Sequence, residues 1–124
     1  MLLNLKKLGR SFYDAFRGLG LAWREGQIFR FGLVLCLISV ILMVYYRITT
    51  GEKVVLILMI TAGVVLELLN TVVEKMLNIL SAKFNPYIQM IKDLMAGTVL
   101  VGLIGWIVVN IIIFSPYIYQ QISG

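Results

Sequence analysis

Three long stretches of this sequence contain no charged residue, and they limit the folds that the chain can adopt. The uncharged runs cover residues 31–46, residues 54–66 and everything after Asp93. A membrane-spanning helix needs about 20 predominantly apolar residues, which each run supplies alone or with its flanking residues. The chain is also 60% hydrophobic, above the ~45–50% that is usual for soluble domains. Its 124 residues therefore predict an all-α membrane protein of one small domain, with three transmembrane helices.

The first thirty residues differ from the rest because they mix basic residues with large apolar ones. The apolar residues recur at helical spacing on one face, namely Phe12, Ala15, Phe16, Leu19, Ala22 and Trp23. The segment lacks the compact apolar region of a signal peptide. We therefore predict that residues 1–30 form an amphipathic helix on the membrane surface. Anionic lipid headgroups, rather than nucleic acid, are the expected partner of its positive charge.

Turn residues and charges bound the three predicted transmembrane helices at 31–47, 52–80 and 88–114. Pro86 is expected to end any helix that approaches it, and Pro116 is expected to mark a frayed C-terminus. Lysine and arginine are most frequent in the N-terminal segment and around the connection between the second and third spans. The positive-inside rule therefore predicts that the N-terminus and this connection are cytoplasmic.

A stripe of polar residues interrupts the second predicted span. On a helix of 3.6 residues per turn, one face carries Glu67, Asn70, Thr71, Glu74 and Asn78. The amides and the hydroxyl alone could be interhelical hydrogen-bonding groups, each worth only ~0.6–2 kcal/mol. An acidic residue near the middle of a bilayer costs ~2.5–3.5 kcal/mol even on insertion scales, so the two carboxylates indicate a functional site. They lie about 10 Å apart along the helix axis.

Two kinds of chemistry suit these carboxylates, and the residues alone leave both open. One carboxylate could take a proton from a lipid hydroxyl while the other holds a divalent cation for a phosphate donor. Alternatively, both could bind or relay ions in a small transporter. Lys92 and Asp93 begin the third span at about the depth of Glu74, where they could meet a phosphate and a purine or ribose group. From spacing alone, a charge pair at the membrane boundary is the favoured interpretation of these two residues.

The segments "ELLNTVVEKMLN" and "KDLMAG" resemble the prokaryotic diacylglycerol kinase and undecaprenol kinase family of small integral membrane enzymes. The similarity extends from "SFYDAFRGL" to about Phe114. The resemblance implies a homotrimer in the bacterial inner membrane, with active sites between neighbouring subunits. It also implies that Mg-ATP binds at the cytoplasmic interface and that its γ-phosphate is transferred to a lipid hydroxyl, with Mg²⁺ as cofactor and ATP as co-substrate.

The resemblance further implies roles for individual residues. Glu67 would be the catalytic base, and Glu74 would bind the Mg²⁺ that bridges the ATP phosphates. Asn70 would support this site. Lys92 and Asp93 would contact the nucleotide.

Three features of the sequence depart from the family pattern. Gly26 occupies the position of a second metal-ligating glutamate, and the nearest acid is Glu25, one residue earlier. One residue rotates a side chain by about 100° on a helix, so Glu25 is predicted to bind the metal only if the helix is locally re-registered. Asn78 replaces an aspartate, and Asn85 and Pro86 replace a histidine and its neighbour.

These departures keep a second function open, that of a divergent, non-catalytic family member that binds lipid or supports assembly. The lipid substrate also stays open between undecaprenol and diacylglycerol. The segment "FRFGLVL" after a basic start slightly favours undecaprenol.

Overall fold

A computed structural model describes residues 4–80 and 86–124 of the chain. The described residues form four helices, α1 (Leu5–Glu25), α2 (Gln27–Tyr46), α3 (Thr50–Ile79) and α4 (Pro86–Ser123). The last three are long and apolar enough to cross a membrane. The predicted all-α class with three membrane-spanning helices is thus confirmed. Asn85, one of the departures from the family pattern, lies outside the described residues.

A single residue, Gly26, separates α1 from α2. Its backbone is extended, with φ −101° and ψ 98°, and its N–H donates to the carbonyl of Ala22 at 2.8 Å. A Cβ added here would lie 2.8 Å from that carbonyl oxygen and 2.9 Å from the Cβ of Phe29. The chain therefore bends where only a glycine fits. Because of this bend, α1 ends at Glu25 and the first spanning helix begins at Gln27, earlier than the predicted boundary.

Helix α1 keeps its aromatic side chains outside the bundle. Asn4 caps its N-terminus by accepting a hydrogen bond from the N–H of Lys7 at 3.3 Å. Ala22 is buried in this helix, whereas most of its large apolar residues are exposed, including Phe12, Phe16 and Trp23. An exposed apolar face beside a basic one is the arrangement of a helix that lies in a membrane interface.

The buried core lies at the end of the bundle that carries the α2–α3 turn. There Ile48, Leu56, Ile113 and Phe114 pack together. The turn itself is closed by a reciprocal pair of hydrogen bonds at the start of α3. The Thr49 N–H donates to the Glu52 carboxylate at 3.0 Å, and the Glu52 N–H donates to the Thr49 hydroxyl at 3.2 Å.

Helix α4 continues past Pro116 to Ser123, so the fraying expected at this proline is absent from the described residues. Proline removes one N–H from the helix. Side-chain hydrogen bonds hold the segment beyond it against the rest of the bundle. The Tyr117 hydroxyl donates to Glu52 at 2.6 Å, and the Tyr46 hydroxyl donates to Gln121 at 2.7 Å.

Small residues bring α3 close to both of its neighbours. A Cβ added to Gly102 of α4 would lie 2.7 Å from Leu66 Cδ2, and one added to Gly32 of α2 would lie 3.7 Å from Glu67 Cγ. Glycines at helix contacts allow this close approach in membrane proteins. Glu67, Asn70 and Thr71 of the polar stripe are partly buried between the helices, whereas Glu74 and Asn78 are exposed.

Candidate active site

Two adjoining cavities lie along α3, and they contain four of the predicted site residues. Glu67 lines the first, which we call the Glu67 cavity. Asn70, Glu74 and Lys92 line the second, which we call the Glu74 cavity. Val99 of α4 lines both. The structure therefore brings together the predicted base and the predicted nucleotide-binding residues, which the sequence could only place on one helix face and at one depth.

The Glu67 cavity is small and mostly apolar. It has a volume of about 150 Å³ and is enclosed by α2, α3 and α4, with Phe29, Leu33 and Leu103 among its lining residues. Glu67 is half-buried, and its Oε2 atom is inaccessible to solvent. Within residues 4–80 and 86–124 this oxygen has no hydrogen-bond partner. Because buried polar atoms are normally hydrogen-bonded, this unpaired oxygen indicates a ligand site.

Trp106 is a second polar contributor to this cavity, and the sequence analysis did not identify it. Its indole Nε1 is also buried and lacks a partner in the part of the chain that the structure describes. A tryptophan in an apolar run resembles a packing residue, but a buried indole N–H usually finds an acceptor. The need of a buried indole N–H for an acceptor was the only feature of the sequence that could have identified Trp106. Cys36 lines the same cavity.

The Glu74 cavity is larger and carries charges of both signs. It has a volume of about 260 Å³ and lies toward the connection between α3 and α4. The Lys92 ammonium donates a hydrogen bond to the Asn78 side chain at 3.2 Å, which places one of the departing residues beside the site. Glu74 is exposed, so its carboxylate is accessible to an ion from solution. A lysine with a carboxylate and an amide can bind a phosphate and a divalent cation together.

Two predicted site residues, Asp93 and Glu25, are not among the described residues that line these cavities. Asp93 is exposed and accepts a hydrogen bond from Gln89 at 3.0 Å. Glu25 ends α1 and forms an ion pair with Lys75, with 2.5 Å between Oε2 and Nζ. The hydrogen bond and the positive charge of Lys75 lower the pKa of Glu25. Its carboxylate thus contacts Lys75, the residue that follows Glu74, and is already paired with the ammonium group of that lysine.

Among the described residues, no group of three or more His, Cys, Asp or Glu side chains is arranged to hold a metal ion. Magnesium commonly binds through one or two carboxylates, and the phosphates of its substrate complete the coordination. Glu74 alone, with nucleotide phosphates, meets that pattern. The site therefore fits a cation that arrives with ATP better than a resident metal.

Comparisons with known proteins place these residues in one family. A sequence model described as prokaryotic diacylglycerol kinase matches residues 13–114, a range that contains every predicted site residue. The chain is 32% identical over 103 residues to a diacylglycerol kinase of Helicobacter pylori strain J99, across 83% of this chain and 80% of that protein. The diacylglycerol kinase of strain 26695 matches equally well, at 32% identity over the same lengths. The chain therefore belongs to the prokaryotic diacylglycerol kinase family and is a membrane lipid kinase whose co-substrate is ATP.

Proposed function

We propose that this protein transfers the γ-phosphoryl group of Mg-ATP to the hydroxyl of a membrane lipid, with Glu67 as the general base. The observation that carries the proposal is the contact of the two cavities at Val99. One cavity is apolar and contains a buried carboxylate, and the other contains an accessible carboxylate, a lysine and an amide. Phosphoryl transfer needs a lipid hydroxyl and a nucleotide phosphate to be held in line at such a junction.

Glu67 is suited to receive the proton of the lipid hydroxyl. In the proposed step, the hydroxyl oxygen forms a bond to the γ-phosphorus while the bond from that phosphorus to the bridging oxygen of ADP breaks. The hydroxyl proton passes to the Glu67 carboxylate. Its Oε2 atom is buried and has no partner among the described residues, so it is available to accept this hydrogen.

The residues of the Glu74 cavity would bind the nucleotide. Lys92 would contact a phosphate as a point charge, and Asn70 would donate amide hydrogen bonds. Asp93, which follows Lys92, would contact the ribose or the base from outside the cavity. Glu74 would hold Mg²⁺, which would neutralise negative charge on the phosphates. Glu25 would join as a second ligand by exchanging the Lys75 ammonium for the metal.

We also propose the orientation and assembly that this reaction requires. The N-terminus and the α3–α4 connection would lie in the cytoplasm, where the Glu74 cavity can receive ATP, in a bacterial inner membrane. The abundant lysine and arginine of these two segments support this orientation. The family resemblance supports a homotrimer. Both diacylglycerol and undecaprenol present the required hydroxyl from the bilayer.

The test is transfer of radiolabelled γ-phosphate from Mg-ATP to diacylglycerol and to undecaprenol, offered separately in mixed micelles. We expect labelled lipid from the natural protein and a loss of 100-fold or more in Glu67→Gln, the usual contribution of a general base. The variant should keep its Mg-ATP-dependent rise in melting temperature, because its nucleotide site is unchanged. Folded protein that labels neither lipid and shows no such rise would instead be the non-catalytic family member.

A further inference from the structure

We propose that Trp106 recognises an ester carbonyl of the lipid, which makes the Glu67 cavity selective for an ester-bearing diacylglycerol over a polyisoprenol. This inference rests on the proposed function, because it assumes that the lipid hydroxyl binds at Glu67. It assigns Trp106 as a specificity-determining residue and reverses the slight preference for undecaprenol that the sequence suggested.

Two buried polar atoms at this cavity have complementary hydrogen-bonding roles, one as an acceptor and one as a donor. Glu67 Oε2 and Trp106 Nε1 belong to residues that line the same cavity, and neither has a partner in the described ranges. An ionised carboxylate only accepts hydrogen bonds, and an indole N–H only donates. A ligand that carries both a hydroxyl donor and a carbonyl acceptor would satisfy the two together. Diacylglycerol carries both groups, whereas a polyisoprenol has only its hydroxyl.

Asn110 of α4 bonds to Ser39 of α2 and to the Trp106 backbone, and not to the indole N–H. Asn110 lies one turn further along α4, and its amide NH₂ donates to the backbone carbonyl of Trp106 at 2.8 Å. Its amide oxygen accepts a hydrogen bond from the buried hydroxyl of Ser39 at 2.9 Å. This network fixes the backbone around Trp106.

Helix packing places Glu67 and Trp106 about one helical turn apart along the bundle. Leu66, beside Glu67, packs against Gly102 of α4. Trp106 is four residues beyond Gly102, which is about 6 Å along the helix axis. The free hydroxyl and the ester carbonyls of diacylglycerol are joined by only a few covalent bonds, so their separation is of the same order. A cavity of about 150 Å³ has room for the glycerol and ester groups, while the acyl chains stay in the bilayer.

The test compares a diacylglycerol with the matching dialkylglycerol, a diether that keeps the hydroxyl and the chains but has no carbonyl. We expect the natural protein to prefer the diester by about tenfold in kcat/KM, because the diether leaves the buried donor unpaired. Trp106→Phe should lower kcat/KM for the diester by about the same factor and leave the diether unchanged. Undecaprenol should behave like the diether in both proteins.

Trp23→Phe provides the matched control. Trp23 is the other of the two tryptophans and is half-exposed on α1, so its replacement should leave the ratio of diester to diether unchanged. This variant also makes Trp106 the sole tryptophan. In the absence of ATP, its fluorescence emission should shift when the diester is added and stay constant with the diether. This binding measurement tests the proposal even where Trp106→Phe fails to fold.

Four results would overturn the inference, and only the last would also reject the lipid kinase reaction. Equal kcat/KM for diester and diether, or an ester preference that survives in Trp106→Phe, would remove the role of Trp106 and keep the lipid kinase reaction. Trp106 emission that shifts equally with both lipids would do the same. Absence of label in every lipid from folded protein would instead reject the proposed function, and this inference with it.

Discussion

Glu25 and Lys75 form an ion pair where the end of α1 approaches α3. Lys75 lowers the pKa of Glu25 below its ordinary value of 4.5, first through the hydrogen bond and then through its charge. A lowered carboxyl pKa stabilises the fold fully above the ordinary value, and the stabilisation disappears as the pH falls through the lowered one. Both side chains are about half-exposed, so solvent screening keeps the effect small.

Substitution of these two residues separately distinguishes an ion pair from a metal ligand. If Glu25 exchanges Lys75 for Mg²⁺ in the loaded site, Glu25→Gln should raise severalfold the Mg²⁺ concentration that gives half-maximal lipid phosphorylation. Lys75→Gln should leave that concentration unchanged or lower it, because it frees the carboxylate. Both variants should lose the same small, pH-dependent part of thermal stability above pH 4.5. An equal Mg²⁺ requirement in Glu25→Gln and the natural protein would make Glu25 purely structural.

Some site residues were predictable from the sequence because placing a charge inside a membrane span has a high free-energy cost. Carboxylates in an apolar helix are rare enough that Glu67 and Glu74 stood out, and the structure places each in one of two adjoining cavities. The pairing of Glu25 with Lys75 was not predictable, because it depends on how α1 folds back toward α3. Trp106 was missed for a similar reason. Its N–H is seen to be unpaired only once the helices are packed, because none of the described residues accepts a hydrogen bond from it.

At the scale of helices, the bend between α1 and α2 depends on one glycine. We expect Gly26→Ala to destabilise the protein by about 1–3 kcal/mol, because its Cβ would meet Ala22 and Phe29 at under 3 Å. Thermal unfolding in detergent measures this change. The matched control is Gly18→Ala in the middle of α1, where a Cβ meets nothing within 4 Å. Alanine there should be neutral or stabilising by up to ~1 kcal/mol, so equal effects of the two substitutions would contradict the steric explanation.

The helices themselves were predictable from apolar runs, while their ends were not. Hydrophobic length identifies a spanning helix, but its ends depend on local contacts that the sequence does not reveal. Helix α2 starts earlier than predicted because Gly26 bends the chain. Helix α4 extends beyond Pro116 because Tyr117 and Gln121 form hydrogen bonds with Glu52 and Tyr46, at the same end of the bundle as the buried core. In both cases a tertiary contact overrides the local signal.

At the scale of the whole molecule, one end of the helical bundle contains the packed core and the other contains the candidate site. The end with the α2–α3 turn contains the buried cluster and the hydrogen bonds of Glu52, so it holds the three spanning helices together. The cavities lie further along α3, toward the α3–α4 connection. A packed end that fixes the helices leaves the other free to carry charged and unpaired groups. This division allows costly polar residues to persist in a chain of this size.

The proposed orientation predicts which end an impermeant reagent can reach in intact cells. In a Cys36→Ala background, Gly51→Cys should react with a membrane-impermeant thiol reagent in spheroplasts, because the α2–α3 turn faces outward. Position 51 is exposed and a side chain there meets nothing within 4 Å. Lys6→Cys, exposed at the start of α1, should react only after the membrane is permeabilised. The opposite pattern would direct the Glu74 cavity away from cellular ATP, and a kinase reaction at that site would then be impossible in the cell.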